Sequence, residues 1–74
     1  MAITPAACQT AIDSTAQGKV ATIVRADEGG GGTQQRWYVV GVTRPYAGRS
    51  RWVATTASDN AATQAAAILA ALVA

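Results

Sequence analysis

The spacing of apolar positions along this 74-residue chain changes twice, and these changes together with two turns divide it into five elements. Near the start, Cys8, Ala11, Ile12 and Thr15 recur at the i, i+3, i+4, i+7 interval of one helical face. Thr4-Pro5 supplies a cap and a first-turn proline, and Gly18 is placed to end the helix. The spacing predicts a helix over about 5–17. Ile3 before the cap and Cys8 one turn later stand where a hydrophobic staple joins them.

The period then shortens to two. Val20, Ile23 and Val24 among small and polar neighbours predict a strand over about 19–27, followed by Asp27-Glu28 and the run Gly29 to Gly32, read as a loop. Those four glycines lack the spacing, lysine and following helix of a phosphate loop. A second strand, about 34–44, is centred on Arg36-Trp37-Tyr38-Val39-Val40-Gly41-Val42. Alternation places Trp37, Val39 and Gly41 on one face, with Arg36, Tyr38, Val40, Val42 and Arg44 on the other. Both faces carry apolar side chains, which predicts cover on both sides of this strand. Pro45 to Gly48 make a turn, and a third strand over about 49–57 sets Trp52 and Ala54 against Arg51, Val53 and Thr55. Trp37 and Trp52 are both expected in the core beneath the helices.

Helical spacing returns after Ser58 or Asp59, either of which can cap a last helix reaching nearly to Ala74. Its large side chains are Ile68, Leu69, Leu72 and Val73, and its outer face is expected to present Thr63, Gln64 and alanine. The predicted fold is a single α+β domain over 1–74, in the order αβββα. A helix, a three-stranded antiparallel meander and a C-terminal helix follow one another, with both helices packed on one face of the sheet.

Composition alters this picture in one respect. Eighteen of the 37 hydrophobic residues are alanine, which buries little area, so the core is expected to be weak and to be supplemented by association. Cys8 is the only cysteine and histidine is absent, so no internal disulfide and no histidine-based metal or catalytic site can be built from one copy. Cys8 is expected to be a small buried hydrophobe, since no basic neighbour in sequence lowers its pKa. No cofactor, metal or small-molecule substrate is expected, and an enzyme is not expected, because the usual base is missing and the four carboxylates are scattered.

The longest apolar run, Ala65 to Ala74, is half the length of a membrane span. The start lacks the basic and apolar run of an export signal, so a cytoplasmic or particle-bound location is expected. Charge is uneven: residues 33–58 contain Arg36, Arg44, Arg49 and Arg51 with no acid, in a chain of net charge +2. With Tyr38, Val40, Val42 and Tyr46 these arginines form the expected partner-binding surface, because arginine and aromatic side chains suit both protein interfaces and nucleic acid. The αβββα order is shared with the double-stranded RNA-binding domain. That family's lysine cluster and proline-histidine loop are replaced here by Ser58-Asp59-Asn60-Ala61-Ala62-Thr63 and by Asp27-Glu28 with the glycines.

The sequence therefore predicts a non-catalytic structural or assembly subunit, most concretely a small phage-particle protein. It should be homo-oligomeric or part of a larger complex, contacting other subunits through its sheet face. Two other functions use the same residues: a small dimeric nucleic-acid-binding regulator, and a phage-encoded inhibitor that binds a host protein.

Overall fold

A computed structural model describes residues 3–15, 17–28, 34–56 and 60–74. The glycine run and the expected Ser58 and Asp59 caps lie outside the described residues. The element order is α1 (Pro5–Asp13), β1 (Ala21–Glu28), β2 (Gln34–Gly41), β3 (Ser50–Thr56) and α2 (Ala61–Leu72). The strands form one antiparallel sheet in the order β1-β2-β3, and both helices pack against the same face of it.

Helix α1 begins as its sequence dictates. The Thr4 side chain accepts a hydrogen bond from the Ala7 backbone N–H at 3.2 Å, satisfying one of the donors that the first turn leaves unpaired. It stops after Asp13, four residues short of the expected end. The Thr10 and Ser14 hydroxyls donate back to the carbonyls of Ala6 and Thr10, while the Thr15 N–H turns to the Ile12 carbonyl, tightening the last turn. Thr15 consequently lies exposed beyond the helix, off the buried face that its spacing suggested. Gly18 still ends the segment, at φ +80°.

Helix α2 is capped by Asn60, one or two residues later than expected, whose side-chain oxygen accepts from the Thr63 N–H at 3.1 Å. Its last turn contains no basic residue of its own. Arg51 of β3 takes that place, donating from Nη2 to the Leu72 carbonyl at 3.0 Å and the Ala74 carbonyl at 3.2 Å.

The core between sheet and helices contains Cys8 and Ile12 of α1, Trp37, Val39 and Val53 of the sheet, and Ile68 and Leu72 of α2, each 3% exposed or less. It also holds a polar chain. The Trp37 indole N–H donates to Thr55 Oγ1 at 3.2 Å, and the Thr55 hydroxyl donates to Gln64 Oε1 at 2.6 Å. Gln64 Nε2 donates to Gln35 Oε1 at 2.9 Å and to the Thr56 carbonyl at 3.1 Å, and Gln35 Nε2 reaches the Ile3 carbonyl at 3.1 Å. Gln64 is thus not on the outer face of α2; it is 1% exposed and ties α2 to two strands. Among the described residues every buried side-chain polar atom has a partner, so the chain avoids the desolvation penalty of an unpaired buried group.

The first part of the outer edge of β1 is closed by one side chain. Gln9 of α1 donates to the Ala21 carbonyl and accepts from the Ile23 N–H, at 2.9 and 2.8 Å, filling the place of a neighbouring strand. Strand β2 ends at Gly41, three residues before the expected end. The chain there folds into a turn over 43–48 that brings the Tyr46 carbonyl against Gly41 so closely that a Cβ at that position would overlap it.

Candidate functional site

The strand register decides which side chains share the face that the helices leave uncovered. Three cross-strand rows lie on it: Thr22, Val40 and Ser50; Arg25, Tyr38 and Trp52; Asp27, Arg36 and Ala54. Trp37, by contrast, pairs with Ala26 and Val53 on the core side.

Arg25 reaches this face because β1 is irregular. Ile23 pairs with Val39 and Arg25 with Tyr38, leaving Val24 as an extra residue between them. Strict alternation would put Arg25 on the same side as Ile23, toward the core; the bulge turns it to the open side. Val24 itself stands 61% exposed.

The middle row is built around Trp52. Its ring centroid lies 5.6 Å from that of Tyr38 at an interplanar angle of 57°, a tilted pairing worth about 0.5–1.5 kcal/mol beyond area burial. The Arg36 Cζ stands 4.9 Å from the Trp52 centroid and the Arg25 Cζ 5.9 Å from it. Cation–π contacts at such exposed positions contribute about 0.5–1 kcal/mol each. Arg25 also pairs with Asp27 at 3.4 Å, an exposed ion pair whose contribution to stability is small.

The expected binding residues are therefore divided among several places. Arg36, Tyr38 and Val40 lie on the open face, and Val42, 48% exposed, follows just past the end of β2. Arg44 and Arg49 are exposed in and beside the 43–48 turn, whose Arg44-Pro45 bond is cis. Tyr46 is directed to the helix side, where it packs against the core and borders a groove of about 580 Å³ between α1 and α2, beside Ala11, Leu69 and Val73. Arg51 is on the helix side as well, held at the end of α2.

Trp52 is the main correction to the sequence reading. It is 37% exposed on the open face, whereas Trp37 is fully buried. Val53 and Trp52 are adjacent and both apolar, so hydrophobicity does not set the phase of β3. The pairing of Tyr38 with Trp52 and of Trp37 with Val53 does. Arg25 was missed for a related reason, since a bulge leaves no mark in the pattern of residue types.

Among the described residues no three cysteine, aspartate or glutamate side chains gather to hold an ion. The Cys8 thiol is buried at the staple, and burial raises its pKa from the ordinary 9.0 to about 11, which leaves it protonated and unreactive at neutral pH. Among the same residues no helix is long and apolar enough to cross a membrane. Comparisons with protein-family models, curated proteins and solved structures find no match to this chain.

Proposed function

We propose that the chain is a non-catalytic assembly subunit that binds a protein partner through the uncovered face of its sheet. The observation that carries this reading is the Trp52 cluster: two aromatic rings and two arginines assembled from three strands on a face that neither helix touches. Tryptophan, tyrosine and arginine are the side chains most often found at the energetic centres of protein interfaces. Val24 and Val42 extend the apolar area at its margin. A structural component of a viral particle is the concrete form proposed, on the support of small size, few charges and alanine-rich helices.

The placement of the arginines weighs against a nucleic-acid regulator. Arg44 and Arg49 lie by the turn and Arg51 binds the end of α2, so a phosphate backbone laid along the open face meets only Arg25 and Arg36, with Asp27 among them.

The test is the mass of the native complex, measured by light scattering, for the wild type and for Trp52→Ala. The wild type should run in an assembly much heavier than its own 7.5 kDa, and the variant should leave that assembly while still melting cooperatively. A wild-type mass of one chain, or an assembly unaffected by Trp52→Ala, overturns the proposal.

A further inference from the structure

The reading of the open face as a protein-docking surface leaves the partner's chemistry undefined, and the charges on the face narrow it. We propose that the partner is a different protein that presents an acidic segment, with one carboxylate on the Arg36 guanidinium and an apolar side chain against Trp52 and Tyr38. This inference rests on the docking reading above.

The two sheet-face arginines are not equivalent. Arg25 has a carboxylate partner in Asp27 at 3.4 Å. Arg36 lies over the Trp52 ring, its Cζ 4.9 Å from the centroid, and among the described residues its guanidinium has neither an ion-pair nor a hydrogen-bond partner. A guanidinium seated over a ring keeps its N–H donors available, and these can receive a carboxylate in a two-pronged hydrogen bond. The aromatic ring also holds the side chain in place before the partner arrives, so less rotamer entropy is lost on binding.

A second copy of the chain complements this face less well than an acidic partner does. Two sheet faces meeting about a two-fold axis along β2 set Arg36 against Arg36, because each cross-strand row then faces itself with β1 opposite β3. A two-fold axis across the strands through the middle row sets Arg25 against Arg25. Both of these arrangements thus set arginine against arginine in the contact, which is less favourable than a carboxylate in that place. A polyanion fares no better, because only one uncompensated cation is available and Asp27 sits in the same row as Arg36. One carboxylate beside an apolar side chain satisfies both the charge and the ring pair.

The probe is a capped, extended peptide alternating leucine and glutamate, titrated to millimolar concentration. Its controls are the same peptide with glutamine for glutamate, and a single-stranded DNA dodecamer. Side-chain N–H resonances of Arg36 and Trp52 should move with the glutamate peptide while that of Trp37 stays in place. The glutamine peptide should bind about tenfold more weakly, a difference of about 1.4 kcal/mol. Arg36→Gln should erase the difference between the two peptides, and Asp27→Asn should tighten the glutamate peptide a few-fold. Equal binding of both peptides, no movement with either, or tighter binding of the DNA overturns the inference. In the native complex, release of the partner by Trp52→Ala but not by Arg36→Gln removes this inference and retains the docking reading. Release by neither removes both.

Discussion

Gln64 offers the most direct check on how this small core is specified. Replacing it with leucine keeps most of the side-chain volume but removes three hydrogen bonds, at 2.6 Å to the Thr55 hydroxyl, 2.9 Å to Gln35 and 3.1 Å to the Thr56 carbonyl. Thr55 and Gln35 are themselves buried, so the Thr55 hydroxyl proton and the Gln35 amide oxygen are left without acceptor or donor, while Trp37 still donates to Thr55 Oγ1. Each such group costs about 1–3 kcal/mol, while the leucine side chain returns about 1.5–3 kcal/mol through burial. At the middle of both ranges, two such groups cost about 4 kcal/mol against a return of about 2 kcal/mol, a net loss of about 2 kcal/mol. A domain of this length has about 4–11 kcal/mol of total stability, so the change removes a substantial fraction of it. In a thermal melt followed by circular dichroism the midpoint should fall by about 8–16 °C. Gln35→Leu and the double variant complete a cycle, in which the double variant should lose less than the sum of the singles by at least about 0.5 kcal/mol. A Gln64→Leu melt within a few degrees of the wild type, or strict additivity, would show that the polar chain is incidental to stability.

Three further outcomes follow from the geometry. Gly41→Ala forces a Cβ into the Tyr46 backbone carbonyl, so either β2 or the following turn must shift; urea denaturation should show a loss of about 3 kcal/mol or more, and a change within 0.5 kcal/mol would contradict the close approach. Cys8 should resist a thiol reagent in the folded protein at pH 7–8 and react at a rate set by unfolding. Because folding raises the Cys8 pKa from 9.0 to about 11, the stability held by its protonated form is complete below pH 9 and should be lost as the pH rises through 11, by about 1–3 kcal/mol. A denaturation midpoint flat across that interval would refute this. Gln9→Ala removes both bonds to the outer edge of β1, and should cost about 1–2 kcal/mol and make association concentration-dependent in sedimentation, since an uncovered edge can pair with another strand; unchanged stability and mass would refute the edge-closing role.

Much of the architecture is legible in the chain. Thr4-Pro5 announces α1 because a cap and a first-turn proline act locally, and the alternating run around Trp37 to Val42 announces β2 because pleat geometry separates neighbouring side chains. The αβββα order and the packing of both helices on one sheet face follow from the placement of these elements. The alternation likewise set Trp37 and Val39 opposite Arg36, Tyr38 and Val40, as the strand register does.

The candidate site was less visible, and each omission has a cause in tertiary structure. Trp52 and Val53 differ in facing only through their cross-strand partners, and Arg25 changes face only because Val24 is bulged out. Arg51 looks like surface charge until α2 brings its carbonyls within 3.0 Å. Gln64 looks like the outer face of a helix until Thr55, Gln35 and the Thr56 carbonyl converge on it. The order and type of the helices and strands are legible in the chain, because capping, periodicity and turn residues act over a few positions, while α1 and β2 end earlier than their spacing suggests. Only the tertiary structure decided which polar and aromatic side chains meet, because register, a bulge and the docking of α2 join residues that are distant along the chain.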